Sequence, residues 1–331
     1  MDIIEELKEK YDYDEELLGA LKKIIPAIEE HYGEEYKQLI HDAILSCNIH
    51  IQQKVSERPE KYLDENLPTT DNGTVLGVAA ALYASAPVIM PDGNIEVNRV
   101  IYLKHPCKDL SENKNLSILV HEITHLIKSY KDEYTMQDGT LVQRCGISVS
   151  YLEKDEDTGK FKDKSSERTG IEEALNCYDE GKIMSIITGE KCYGHSYREI
   201  SEITDLLMEN NKTFREAFKS SLLNGDKTYI DKLGKEKAES LCDIYEDFCS
   251  TYQITWSDIN TKEKKAALFE RRDKAKEKLV TEVNGIQTNP MIDSLKSMVN
   301  SDEELSDTLA EQNAQKDIRK EKPNIEQNIL S

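Results

Sequence analysis

The chain has 331 residues, with 43 basic against 64 acidic side chains and a net charge of −21; its isoelectric point is near 4.9. So acidic a surface repels phosphate backbones and anionic lipid, which argues against a nucleic-acid binder. No stretch approaches the roughly eighteen consecutive apolar residues of a membrane span. The opening "MDIIEELKEKYDYDEELL" lacks the basic flank and apolar run of a signal peptide, so the expectation is a cytoplasmic protein with no membrane partner. The seven cysteines, Cys47, Cys107, Cys145, Cys177, Cys192, Cys242 and Cys249, are odd in number and have no CxxC spacing. Reduced thiols are expected, not a disulfide framework.

Residues 1–56 carry apolar side chains at helical spacing (Leu17, Leu18, Leu21, Ile24, Ile25, then Tyr36, Leu39, Ile40, Ile44) and read as two or three helices. "SERPEKYLDENLPTTDNGT" (56–74) is rich in helix breakers and turn formers and marks a boundary. Beyond it "TVLGVAAALYASAPVIM", the turn "PDGN" and "IEVNRVIYLKHP" read as short strands, followed by a helix capped by Ser111 or Asn113 and running to about Tyr130. Alternation at Ile147, Val149 and Tyr151, with "DEDTG" as the turn, predicts a hairpin over 139–164, and a further helix follows from Thr169 to Gly189. Helical spacing resumes over 197–256, where Trp256 reads as core. From about 257 the chain is charged and polar; the mixed signs of "KEKKAALFERRDKAKEK" suit a solvated helix face, and "QNAQKDIRKEKPNIEQNILS" suits a disordered tail. The division expected is a helical region at 1–65, a central α+β core at 66–200, a helical subdomain at 201–260 and a charged tail at 261–331.

The chemistry concentrates in "SILVHEITHLIKSY" (117–130). On a helical wheel Leu116, Val120, Ile123, Ile127 and Tyr130 fall within about 80° of arc, whereas His121 and His125 lie about 140° and 180° from Leu116. The histidines therefore face away from the apolar stripe. Apart from Glu122 the stretch between Asn115 and Lys128 carries no lysine or glutamate, so the helix reads as buried on most sides, not as a solvent-facing helix with two incidental histidines. Histidines at i and i+4 put two imidazoles one turn apart on one face, a spacing that lets both reach a tetrahedral zinc. Glu122, one step away, can reach a water at such a metal without binding the metal itself.

This pattern resembles the HExxH signature of the zincin metallopeptidases. The continuation "LIKSYKDEYT" lacks the Gly and His of the metzincin branch, and the similarity is to divergent gluzincins, over roughly residues 98–200 and without identifying a subfamily. The resemblance implies a zincin-like core, Zn2+ as cofactor, Glu122 as general base and a third, glutamate ligand on a later helix. "TGIEEALNCYDEGKIMSIITG" offers Glu172 and Glu173. Thr169 and Glu172 have the T-x-x-E spacing of a capping box, which gives Glu172 a structural task; "E-A-L-N" from Glu173 is the closer match to the family's ligand segment, and Glu173 is preferred. Asn176 or Asp179 could orient a histidine ligand. The resemblance also implies an oxyanion donor, for which Tyr197 and then His195 in "CYGHSYREI" are candidates, with Arg144 and Tyr151 as competitors. It further implies an edge strand, "NRVIYL", for an extended peptide. His31, His41, His50 and His105 read as surface or local hydrogen-bonding groups, and Cys145 and Cys177 as buried thiols.

Three functions stay open on the sequence: a zinc-dependent peptidase acting on peptides or proteins; a regulatory protease of the repressor-cleaving kind, with the helical flanks as its recognition parts; and a non-catalytic helical interaction protein whose metal is structural or absent. An open fourth coordination position separates the first two from the third.

Overall fold

In a computed structural model the described residues are 2–52, 81–104, 107–155, 161–219, 223, 227–252 and 260–285. The expected boundary at 56–74, His105, most of "DEDTG", Trp256 and the tail beyond 285 lie outside them. The chain forms two compact units, 1–243 and 244–331.

The N-terminal helices are set by their caps and stripes. Asp2 accepts from the Ile4 amide at the head of α1 (Ile3–Lys10), and Asp14 from the Leu17 amide at the head of α2 (Glu15–Tyr32). A 3₁₀ turn leads into α3 (Lys37–Leu45). Leu21, Ile24 and Ile28 of α2 and Ile40 and Ile44 of α3 are fully buried. They share one core with Ile101 and Leu103, with Leu119, Val120, Ile123, Leu126 and Ile127, and with Ile183 and Met184. The first fifty residues are thus part of the same core as the two-histidine helix.

Among the described residues three strands form the first sheet: β1 (Cys47–Ile51), β2 (Ala81–Ile89) and β3 (Ile95–Leu103). Their order is β1-β3-β2, with β1 parallel and β2 antiparallel to β3. This corrects the expectation that "NRVIYL" is an edge: β3 is the central strand, and β2 flanks it. Periodicity reports which residues face the core but not which strand lies outermost. The helix α4 (Asn113–Tyr130) follows.

The second sheet has order β4-β5-β6-β7, all antiparallel: β4 (Tyr134–Gln137), β5 (Thr140–Cys145), β6 (Ser148–Lys154) and β7 (Phe161–Glu167). The single hairpin expected at 139–164 is therefore part of a four-stranded meander. Asp138 and Gly139, both at positive φ (50° and 81°), turn β4 into β5, the Asp-Gly geometry that suits a two-residue hairpin. Gly146 at φ 53° helps turn β5 into β6. Tyr134, Leu141 and Leu152 form a small core of this sheet.

Helix α5 (Thr169–Thr188) ends on Gly189 in the left-handed conformation (φ 73°), as a C-terminal glycine allows. Its start departs from the expected capping box. The N-cap is Arg168, itself left-handed at φ 60°, with no side-chain cap bond, and the side chain of Glu172 is used elsewhere. Helices α6 (Arg198–Asn210), α7 (Lys212–Lys219), α8 (Thr228–Leu233) and α9 (Lys235–Ser250) follow. In the second unit α10 (Lys262–Asn284) buries Leu279, Val280 and Val283, and Arg272 lies over the Tyr252 ring at 3.8 Å. The fold is α+β. Among the described residues no helix is long and apolar enough to cross a membrane.

Candidate metal centre

Helix α4 is buried at every residue from Asn115 to Ser129 except His125. It packs against α3, α5, β2, β3 and β5, which accounts for a sequence with so few charges. His121 and His125, one turn apart, point their rings at α5 and stand with centroids 4.8 Å apart, nearly perpendicular.

Glu173 on α5 meets both rings. Its Oε1 is 3.0 Å from His121 Nε2, its Oε2 is 3.2 Å from His125 Nε2, and the two Nε2 atoms are 3.1 Å apart. Tetrahedral zinc with bonds of about 2.0–2.1 Å separates its donors by about 3.3 Å, and each of these pairwise separations is close to that length, with the two oxygens of Glu173 shared between the two rings. The donor set, two imidazoles and one carboxylate, is one that zinc accepts. Electrostatics agree. Burial alone would lower the pKa of His121, but Glu173 and its hydrogen-bond partners outweigh it and hold the imidazole well above its ordinary value. Burial alone would likewise raise the Glu173 carboxyl, and the two histidines drive it below the carboxylate range. A positive charge is favoured where the three side chains meet, and a metal ion binding there would take the place of the His121 proton.

The other nitrogen of each ring is also partnered. His121 Nδ1 lies 3.0 Å from Glu180 Oε2, and His125 Nδ1 lies 3.6 Å from Cys145 Sγ on β5. A carboxylate on the far nitrogen fixes the tautomer that leaves Nε2 free to bind a metal. Glu180 was missed from sequence, although the signal was present: it stands seven residues after Glu173, two turns on along the same helix face. The residues proposed for that task do other work. Asn176 donates to the backbone oxygen of His121 at 3.0 Å. Asp179 binds Lys128 Nζ (2.9 Å), His31 Nε2 (2.9 Å) and the Tyr32 hydroxyl (3.0 Å). His31 is thus a half-buried hydrogen-bonding group whose partner is distant in the chain, not local, and His41 pairs with Glu29.

Glu172, the alternative third ligand, turns away from the histidines. It pairs with the fully buried Lys128 at 3.1 Å and accepts from the Ile147 amide at 2.7 Å. A side chain at Gly146 would collide with it, since an added Cβ would overlap Glu172 Oε2.

Glu122 is 9% exposed, and its Oε2 accepts from the Tyr83 amide of β2 at 2.7 Å. Burial raises its carboxyl above the ordinary value, against the charges of His121 and His125. Beyond it the buried Glu133 joins the half-buried Tyr83 and Arg99, accepting from both at 2.8 Å.

Cys177 is a rival donor. Its sulfur and the donor atoms of His121 and Glu173 lie within 4.8 Å of one another. The set of His121, His125 and Glu173 is the tighter one, at 3.0–3.2 Å. Burial also pushes the Cys177 thiol up to about 12, away from the thiolate that binds metals. All seven cysteines are free.

Tyr197 stands with its ring centroid 6.4 Å from that of His121. His195 is tied to the centre through its backbone amide, which donates to Glu180 Oε1 at 2.7 Å. Arg144 and Tyr151 lie on β5 and β6. No protein-family model matches the chain, nor does any curated protein or solved structure.

Proposed function

We propose that the chain is a zinc-dependent metallopeptidase with a zincin-like core, and that His121, His125 and Glu173 hold the metal. The observation that carries this reading is the convergence of three side chains, His121, His125 and Glu173, with their polar atoms 3.0–3.2 Å apart and a buried glutamate, Glu122, beside the first histidine. When bound, zinc supplies Lewis-acid polarisation and brings the pKa of a water toward neutrality. The chain does the rest. Glu122, its carboxyl raised by burial, takes a proton from the attacking water and delivers it to the leaving amine. Glu180 keeps a proton on His121 Nδ1. Tyr197, with His195 second, is the donor assigned to the developing oxyanion, on its place beside His121.

A peptide substrate suits the same region. The Tyr83 amide of β2 points to Glu122, so the edge of β2 away from β3 borders the centre, and an extended peptide can add to it by main-chain hydrogen bonds. β2 takes over the part first expected of "NRVIYL".

A specific observation supports a second reading. Cys177 is close enough to His121 and Glu173 to form a three-donor set with them, and a site closed by a further protein ligand is structural. Metal analysis of wild type, His121→Ala, Glu122→Gln and Cys177→Ser, joined to a peptide-library cleavage assay, separates the two. The peptidase reading expects stoichiometric zinc in all but His121→Ala, with cleavage in wild type and Cys177→Ser. Loss of zinc in Cys177→Ser without cleavage by wild type favours the structural site. Zinc-free wild type from zinc-replete medium would sink both.

A further inference from the structure

Glu180 serves two structures at once. Its Oε2 faces His121 Nδ1 at 3.0 Å, while Oε1 accepts from the amides of His195 (2.7 Å) and Ser196 (3.4 Å) and from the Ser117 hydroxyl. The carboxylate has no exposed surface. It can reach both sides because the segment 192–197 lies backbone-to-helix on α5. A Cβ on Gly194 would fall 2.6 Å from Glu180 Oε2 and 2.8 Å from the Cys177 carbonyl oxygen, and one on Gly181 would fall 3.1 Å from the Cys192 carbonyl oxygen. Ser201 Oγ stitches the contact, accepting from the Gly194 amide and donating to the Cys177 carbonyl, both at 2.8 Å. Tyr197 ends this segment beside His121.

We propose that Glu180 is a positioning residue that couples metal binding at His121, His125 and Glu173 to the seating of the Cys192–Tyr197 segment. The inference rests on the metal reading above. A ligand bound at His121 Nε2 keeps the proton on Nδ1 and strengthens its bond to Oε2, which fixes the plane of the carboxylate. A fixed plane presents Oε1 to the His195 and Ser196 amides. The coupling is reciprocal: whatever unseats the segment weakens the metal by the same factor. A glycine that touches no metal ligand should therefore affect metal affinity.

The test compares wild type, Glu180→Gln and Gly194→Ala for zinc affinity by chelator competition, and for hydrogen exchange at the His195 and Ser196 amides with and without zinc. Thermal unfolding identifies any variant that fails to fold. Each variant is expected to bind zinc about 10- to 100-fold more weakly, the usual effect of losing such a partner. Zinc should slow exchange at the two amides in wild type and not in Glu180→Gln, a response that a purely structural role would not produce. Affinities within twofold of wild type, or amides indifferent to zinc, overturn the coupling and leave the metal reading standing. Wild type that binds no zinc overturns both, so the two failures are distinct.

Discussion

Glu122 illustrates how one residue is prepared by its surroundings. It is buried, so its carboxyl rises, and it accepts from a backbone donor, Tyr83 N, at 2.7 Å. In Glu122→Gln the amide keeps the size of the side chain and loses the basic oxygen. On the proposed peptidase reading, zinc content should be unchanged while kcat/KM falls about a hundred- to ten-thousandfold, the usual worth of a general base. Lys128 is the opposite case, a buried cation whose role is structural. It has no exposed side-chain surface and faces Glu172 and Asp179 at 3.1 and 2.9 Å. Lys128→Met would leave two buried carboxylates without their countercharge, and urea denaturation should show a loss of about 3–5 kcal/mol. A loss below about 1 kcal/mol, the range of surface pairs, would show that the pair does not hold this core together.

At the scale of elements, α4 and α5 carry the candidate ligands, and Asp179 ties both to α2 through Lys128, His31 and Tyr32. Burial alone would raise the Asp179 carboxyl. The charge of Lys128 and the His31 hydrogen bond outweigh it and hold the group below its ordinary value. A carboxyl depressed in the folded state stabilises above its unfolded pKa of about 3.9, and that stability is lost as pH falls through the lower folded value. Acid unfolding followed by circular dichroism should show this limb in wild type, and Asp179→Asn should be less stable at neutral pH with a flatter limb below about pH 4. An unchanged limb would remove Asp179 from the account. Gly146 serves the same junction. Gly146→Ala strains a residue at φ 53° and collides with Glu172, and the expected cost is about 1–3 kcal/mol.

At the scale of the molecule, the candidate ligands come from two helices separated in sequence by the whole four-stranded sheet, so a metal that binds them binds the folded chain and not the unfolded one. Zinc at about a hundred times its Kd should therefore add about 2.7 kcal/mol of stability. Calorimetry should record a higher Tm for wild type and Glu122→Gln, and none for His121→Ala. A net charge of −21 opposes compaction by self-repulsion, so Tm should also rise as salt is raised from about 0.01 to 0.15 M, where the screening length falls from about 30 to 8 Å. A Tm that is flat in salt would mean that the acidic charges are already neutralised locally.

The cap expected for α4 at Ser111 or Asn113 is instead Glu112, without a side-chain cap bond; the sequence by itself determined the helices, the buried character of α4, and the pair of histidines on one helix face. All of these follow from local spacing at 3.6 residues per turn. The preference for Glu173 over Glu172 rested on a capping box that does not form: Glu172 pairs with Lys128 and accepts from the Ile147 amide, while Glu173 meets both histidines. Only the tertiary structure decided that β3 is central and β2 flanks the site, that His31 reaches Asp179 across 148 positions, and that Glu180 joins His121 to the 192–197 segment. Those are contacts between elements far apart in the chain. Periodicity states that a side chain is buried, and packing alone chooses the partner that a buried charge must have.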